Sequence, residues 1–344
     1  MKALIIVDVC TVQEFLENES IKDTLSRLGD DVEVEVIQDE FMPQFASPLE
    51  YVGRVEKEGP EWVPVSDHLL KKLADVEILL VHWAAVNSKM IDAGKKLKFI
   101  GAMRSGFEHI NVEYAQSKGI TVRNCPGRLA NSVADLTLAL ILSENKGLLR
   151  RNLRATKGKF VSQDKYYDAG NRPLCMQKVG LVGFGIIAQA VAQRLKACGS
   201  TVIAYDPFCP DNVFEEQGVM RVQMDKLLAE SDIVSMHVRL SEETRHMFGR
   251  KEFQKMKPTA IFINTARAGL VDEDALIDAL REGEIRGAGL DVFSKEPIEE
   301  GHPFLTMDNV TATPHCGGVF YGMFELSVSM MIDTLTKYLR GEPV

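Results

Sequence analysis

The stretch KVGLVGFGIIAQAVAQRLKACGSTVIAYDP, residues 178–207, decides the fold. An apolar run of strand length leads into Gly183-Phe184-Gly185-Ile186-Ile187-Ala188, an amphipathic helical pattern follows, and a second apolar run ends at Asp206. Each small residue has a separate task. Gly183 permits the tight turn, Gly185 lets a pyrophosphate approach the backbone, and Ala188 lets the helix lie close to the strand. The first turn of that helix offers free N–H groups and the positive end of its dipole to phosphates. An acidic side chain at the end of the second strand accepts hydrogen bonds from ribose hydroxyls and repels a 2′-phosphate, so Asp206 favours NAD over NADP.

Working outward, short apolar runs alternate with helical patterns through most of the chain. In the first third, strands are expected at 3–9, 32–37, 77–82, 98–103 and 121–124, with an irregular loop over 39–64, where four prolines fall. In the second region, strands are expected at 178–182, 201–205, 233–237, 260–264, 287–290 and 310–312. One long helix is expected over 131–159, either half buried in its domain or serving as a dimer element, and a last amphipathic helix over 324–339. Strands that alternate with helices imply parallel sheets covered on both faces, an α/β architecture. The placement of the glycine turn behind a separate α/β region predicts two domains with a cleft between them. A dinucleotide-binding domain is expected over 125–317, and a flavodoxin-like substrate domain over 1–124 and 318–344.

Composition bounds the function. The 344 residues suit two domains of ordinary size. Forty Lys and Arg against 49 Asp and Glu give a formal charge of −9, which argues against a general nucleic-acid binder. The apolar start MKALIIVDVC is broken by Asp8 and reads as a buried strand rather than a signal peptide. No run of about 18 uncharged apolar residues occurs, so no membrane span is expected. Six cysteines without a C-x-x-C pair read as reduced thiols of a cytoplasmic protein. The histidines show no metal-ligand spacing, and no metal is expected. Cys316 reads as a small buried residue.

Downstream of the glycine turn, three segments carry polar residues just after apolar runs. They are NTARAGLVDEDALIDAL (264–280), GLDVFSKEP (289–297) and TPHCGG (313–318). With NCPGRLANSVADLTLALIL (124–142), VGFGIIA (182–188) and HVRLSEETRHMFG (237–249), they occur in an order that resembles the D-specific 2-hydroxyacid dehydrogenase family. The resemblance spans nearly the whole chain and is weakest over residues 10–75.

That resemblance implies an NAD-dependent enzyme acting on a small 2-hydroxy or 2-keto acid, with Arg267, Glu296 and His315 as its catalytic residues. Arg267 would pair with the substrate carboxylate and polarise the carbonyl oxygen through its planar fork of donors. His315 would exchange the hydroxyl proton while Glu296 orients the imidazole and favours its charged form. The implied cofactor residues are Gly183, Gly185, Ile186, Ile187, Asp206, His237, Val238, Thr244, Thr265, Ala266, Arg267, Asp291, His315 and Gly317, with Asp291 near the nicotinamide carboxamide. The implied substrate residues are Ala84, Ala85, Ser105, Gly106 and Arg267, of which the loop residues act through backbone N–H groups.

The second loop, RSGFEHINVEYA, departs from the commoner family pattern G-x-G-x-D-N and leaves the substrate open. Arg239 stands where the family usually has proline and reads as solvated. The family is usually homodimeric, through the helix after Asn131. Two further readings stay open. One is a phosphoglycerate dehydrogenase proper, for which Arg104, Arg128 and His109 would form a phosphate pocket. The other is a non-enzymatic NAD-sensing corepressor on the same fold. A reductase of larger sugar acids is a variant of the main reading.

Overall fold

Successive residues of a strand point to opposite faces of its sheet, and this alternation organises both cores. In the computed structural model, which describes residues 1–45, 47–159 and 170–344, the chain divides into two units, 1–128 with 321–344, and 129–320.

The first unit carries five parallel strands: β1 Lys2–Val7, β2 Glu33–Gln38, β3 Ile78–Val81, β4 Phe99–Ala102 and β5 Thr121–Arg123. Their order is β2-β1-β3-β4-β5, the doubly wound order of flavodoxin-like sheets. Leu4, Ile6, Leu79, Val81 and Ile100 face one side, where Met90, Ile91 and Ala115 complete a core. Ala3, Ile5, Val7, Ile78, Leu80 and Phe99 face the other, against Phe324, Val328, Met331 and Leu335 of the C-terminal helix Met323–Leu339. Each fully buried Leu, Ile or Phe contributes about 1.5–3 kcal/mol, so burial is the main force that holds that helix to its sheet.

The second unit carries seven parallel strands: β6 Lys178–Val182, β7 Thr201–Tyr205, β8 Met220–Arg221, β9 Ile233–Met236, β10 Ile261–Asn264, β11 Gly287–Leu290 and β12 Val310–Ala312. The order is β12-β11-β10-β9-β6-β7-β8. Renumbered within the unit, its first six strands follow 3-2-1-4-5-6, the dinucleotide-binding order, and the seventh extends it. Val179, Leu181, Ile233, Ile261 and Ile263 pack on one face, and Val182, Val234, Met236 and Phe262 on the other. The direction of winding reverses between β6 and β9, where such sheets bind ligands.

Two local expectations fail. The proline-rich stretch 39–64 contains the helix Pro48–Glu58, because Ser47 caps it by accepting from the N–H of Glu50 and Pro48 occupies its first turn, where proline is favoured. Ala46, within that stretch, lies outside the described residues. The expected helix over 131–159 is two helices, Ala130–Lys146 and Leu148–Thr156. Gly147 separates them with φ 57°, a left-handed conformation that ends a helix and that glycine adopts without penalty. Val133, Ala134, Thr137, Leu140 and Ile141 of the first helix are buried. The two-residue strand β8 is too short to leave a sequence pattern.

Candidate active site

The parallel register places the ends of six strands of the second unit on one edge. Val182 pairs with Tyr205 and Met236, so the turns after β6, β7 and β9 emerge side by side. Asn264 pairs with Leu290, and Leu290 with Ala312, so the turns after β10, β11 and β12 do the same. The first trio holds Gly183, Asp206 and His237, and the second holds Arg267, Asp291 with Glu296, and His315.

The glycine turn has two chemically distinct positions. Gly183 has φ 91°, and a Cβ there would stand 2.7 Å from the carbonyl oxygen of His237. Only glycine fits, because the backbone of β9 closes on the turn. Gly185 has ordinary φ −73°, and a Cβ there would meet nothing within 4 Å. That open space lies at the start of the helix Ile186–Ala197, which has no side-chain cap. Its first N–H groups, those of Ile186 and Ile187 among them, lack intrahelical acceptors. A glycine with room for a Cβ before uncapped helix donors fits a pyrophosphate.

Asp206 fixes this turn. One carboxylate oxygen accepts from the N–H of Phe184 at 2.8 Å, and the other from Phe208 and Cys209 at 2.8 and 3.0 Å. A carboxylate at the end of β7 is thereby held beside the glycine turn, where it still has lone pairs for ribose hydroxyls. His237 donates its N–H to Val182 at 2.7 Å, and its Nε2 lies 2.9 Å from Ser235 Oγ. Burial pushes its imidazole down to about 4, so the ring is neutral at pH 7. Val238 follows it at the rim, half buried. Thr244 Oγ1 donates to the carbonyl of Arg239 and accepts from the N–H of Ser241, so it closes its own turn. Arg239 is exposed, as its solvated reading requires.

After β10, Asn264 shapes the next turn. Its side chain accepts from the N–H of Ala266 at 3.0 Å and donates to the carbonyl of Arg267 at 3.0 Å. Buried Thr265 bonds through its hydroxyl to that of Thr137 at 2.9 Å. Arg267 thus stands exposed at the rim, with Nη1 on the carbonyl of Ala266 and the other guanidinium donors facing outward.

Nineteen residues apart in sequence, Glu296 and His315 meet. Glu296 Oε1 accepts from the N–H of Phe293 at 3.0 Å, which fixes the carboxylate, and Oε2 lies 2.7 Å from His315 Nδ1. This leaves the histidine's Nε2 for a ligand. The His315 and Glu296 side chains are 47% and 36% exposed, so their Coulombic attraction is screened and the contact acts mainly by orienting the ring. His315 has φ 51°, a left-handed conformation that costs about 1–3 kcal/mol in a residue other than glycine.

Asp291 offsets that strain. It is 1% exposed and accepts from Thr313 Oγ1 at 2.6 Å and from the N–H groups of Cys316 and Gly317, each at 2.9 Å. The carboxylate therefore clamps the loop on both sides of His315. Burial, with the nearby Asp291 charge, raises the Cys316 thiol, which keeps it protonated and makes it a poor nucleophile. All six cysteines are free thiols.

The remaining expected residues belong to the first unit. Ala84 and Ala85 are buried after β3, and the N–H of Ala85 donates to the hydroxyl of Tyr51 at 3.2 Å. Ser105 Oγ donates to the carbonyl of Cys125 at 3.1 Å, and Gly106 follows with the Glu108 carboxylate folded over it. Sequence reasoning missed the clamp of Asp291, the Tyr51 contact and the role of Asn264. Only Asn264 left a local trace, an Asx-type residue opening a tight turn.

Sheet order, glycine turn and the arginine, glutamate and histidine at adjacent strand ends define a nucleotide-linked oxidoreductase of the two-unit α/β class. The family model described as the D-isomer specific 2-hydroxyacid dehydrogenase NAD-binding domain matches residues 138–317. A glyoxylate reductase of Korarchaeum cryptofilum is 34% identical over 333 residues, covering 95% of this chain and 93% of that protein. A hydroxypyruvate reductase of Thermotoga maritima is 41% identical over 254 residues, 73% of this chain and 81% of its own. A D-3-phosphoglycerate dehydrogenase of Methanocaldococcus jannaschii is 38% identical over 86% of this chain, which spans only 55% of that protein. Among solved structures, a D-lactate dehydrogenase of Aquifex aeolicus, complexed with NAD and lactic acid, is 27% identical with a TM-score of 0.68, covering 98% of this chain and 96% of its own.

The chain belongs to the D-isomer-specific 2-hydroxyacid dehydrogenase family. It is an NAD-dependent oxidoreductase of 2-hydroxy acids, and its second unit is the NAD-binding domain. None of the described helices is long and apolar enough to cross a membrane.

Proposed function

We propose that Arg267, Glu296 and His315 carry the reaction and that the enzyme reduces a 2-keto acid to the D-2-hydroxy acid, or the reverse. The observation that carries this reading is the 2.7 Å contact between Glu296 and His315 Nδ1, which leaves Nε2 for a ligand on the sheet edge that also displays Arg267. Bound NAD supplies or takes the hydride at the carbon that bears the oxygen. The protein does the rest. Arg267 pairs with the substrate carboxylate through two parallel N–H donors and draws charge onto the neighbouring carbonyl oxygen. His315 Nε2 delivers the proton to that oxygen in reduction and takes it back in oxidation. Glu296 holds the orientation of the ring, and Asp291 holds the loop.

On the cofactor side, Gly183, Gly185, Ile186 and Ile187 receive the pyrophosphate and Asp206 the adenosine ribose. The remaining expected cofactor residues, His237, Val238, Thr244, Thr265, Ala266, Asp291 and Gly317, are carried forward on the family resemblance. The substrate reading of Ala84, Ala85, Ser105 and Gly106 rests on the same resemblance. The enzyme works as a cytoplasmic homodimer in this reading, supported by Leu148, Leu149 and Leu153, all exposed on the helix Leu148–Thr156. Light scattering in solution tests the dimer, and a monomer mass refutes it.

The test of activity is NADH oxidation against glyoxylate, hydroxypyruvate, its 3-phosphate, pyruvate and 2-oxoglutarate, repeated with NADPH. Turnover with at least one acid is expected, with NADH preferred. His315→Ala should lower kcat by about 10²–10⁴-fold, the range of lost acid–base catalysis, while NADH binds as before. Near-normal turnover in that variant removes His315 from the mechanism.

A further inference from the structure

The first unit buries two arginines whose donors its own residues satisfy only in part. Arg104 and Arg128 are each 9% exposed, and His82 and His109 are 3% and 0% exposed. Buried charges are ordinarily paired, because an unpaired ion loses its hydration for nothing. Here the two arginines leave several of their donors without a hydrogen-bond acceptor. Asp8 is committed to His82 Nδ1 at 2.6 Å and to the N–H of Cys10. Arg104 reaches one carboxylate, that of Glu56, at 3.6 Å, and Glu56 is itself 47% exposed on its side chain. Arg128 spends Nη1 on the hydroxyl of Ser327 at 2.8 Å. The Glu108 carboxylate favours charged Arg104, but its Oε2, like Nε and Nη1 of Arg104, has no hydrogen-bond partner.

Donors are left over. Nε and Nη1 of Arg104 and Nε of Arg128 are buried and have no hydrogen-bond partner, while His82 and His109, whose charged forms burial disfavours, add no further positive charge. They act on one another electrostatically: Arg128 disfavours the charged form of Arg104, and both arginines disfavour that of His82. Burial, with those neighbours, pushes Arg104 down to about 10 and His109 well below the usual histidine range. Arg104 is also pre-oriented. Its guanidinium stacks on the ring of Trp83 at 3.1 Å from the centroid, and His109 lies against that ring at 6.2 Å. A stacked, desolvated guanidinium with two free donors suits an oxyanion and not a neutral group. Trp83 and Arg104 head the loops that carry Ala84, Ala85, Ser105 and Gly106, and the second of these loops is where the chain departs from the commoner family pattern.

We infer that Arg104 and Arg128 form an anion site in the first unit that takes a second acidic group of the substrate, a phosphate ester or a distal carboxylate. The inference rests on the proposed dehydrogenase reaction and narrows it to 2-hydroxy acids with two acidic groups. His109, held neutral, lines the site and supports the stacked tryptophan.

Two measurements test it, one of them independent of turnover. The chain's two tryptophans are Trp62 and Trp83, and Trp83 carries Arg104. Titration of the protein, without cofactor, with inorganic phosphate and with malonate should change tryptophan fluorescence saturably, and Arg104→Gln should weaken that binding by about tenfold or more. The second measurement compares kcat/KM within matched pairs: hydroxypyruvate against its 3-phosphate, and pyruvate against 2-oxoglutarate and oxaloacetate. The acid-tailed member of one pair should be favoured by about 10- to 100-fold, the worth of one or two charge-assisted hydrogen bonds. That ratio should collapse in Arg104→Gln and in Arg128→Gln. The pair that shows the preference tells phosphate from carboxylate.

Should Arg104→Gln fail to fold, Arg104→Lys keeps the charge without the fork and should raise KM for the acid-tailed substrate more than it lowers kcat. No saturable anion binding, or equal kcat/KM within every pair, overturns the inference while leaving the dehydrogenase intact. Saturable anion binding lost in Arg104→Gln, with no acid turned over, refutes instead the proposed reaction and leaves the anion site standing.

Discussion

Replacing Asp291 should disable the enzyme without touching any of the three residues proposed to do its chemistry. The carboxylate accepts three hydrogen bonds, from Thr313 Oγ1 and from the N–H groups of Cys316 and Gly317, in a position 1% exposed to solvent. In Asp291→Ala two backbone N–H groups and one hydroxyl lose a charged acceptor. Each stranded donor costs about 1–3 kcal/mol if no water replaces the carboxylate. With partial rescue by water, a net loss of about 3 kcal/mol is expected. For a unit of this size that lowers its Tm by roughly 6–12 °C.

The catalytic effect is separate. His315 is held at φ 51°, a conformation costing about 1–3 kcal/mol, so once the clamp is gone the loop relaxes and Nε2 leaves its position. A fall in kcat of about 10²-fold or more is expected, of the order of losing the acid–base group itself. Asp291→Asn is the sharper probe, because it preserves shape but turns an N–H donor toward an N–H donor of the loop. Its Tm should fall by a similar amount. Thermal unfolding, with steady-state kinetics below the transition, reads both effects. A Tm within about 1 °C of the parent and kcat within about twofold would refute the clamp and return Asp291 to a simple contact with the nicotinamide.

The two glycines of the turn should separate folding from cofactor binding. Gly183→Ala places a Cβ 2.7 Å from the His237 carbonyl at φ 91° and should destabilise the second unit by about 2–4 kcal/mol. Gly185→Ala meets open space, so its Tm should not move, yet its affinity for NADH should drop by about tenfold or more; unchanged binding would remove Gly185 from the pyrophosphate site. Asp206→Ala should weaken NAD binding by about tenfold with less effect on NADP, and isothermal titration that shows equal losses would refute the ribose assignment. His237 titrates near 4 in the folded protein and about 6.5 unfolded, so the unfolded chain binds the extra proton first. Its contribution to stability is present above about pH 6.5 and is lost as pH falls toward 4, by at most about 3 kcal/mol at 1.36 kcal/mol per unit. Urea unfolding across that window should flatten in His237→Gln, and an unchanged slope would sink the assignment.

The strand–turn–helix over 178–197 was legible because its determinants are neighbours in the chain: apolar alternation, a left-handed glycine and small residues at fixed offsets. The same holds for most strands and for the cofactor class, whereas Arg267, Glu296 and His315 were named through the family resemblance of ordered motifs. The helix Pro48–Glu58 was not legible amid prolines, since its cap and proline first turn mimic a loop, and one glycine at 147 was too weak a signal to divide a long helical pattern.

What lay beyond the sequence shares one physical cause. Asp291 and Gly317 are 26 residues apart, Asp8 and His82 are 74, and Tyr51 and Ala85 are 34. No local periodicity encodes such pairs, because their distance is set by parallel register and by helices crossing between strands. Arg104 and Arg128 could be named as basic residues from the sequence alone. That both are buried with donors unpartnered, and that Arg104 stacks on Trp83, is a property of packing, and only the tertiary structure decides it.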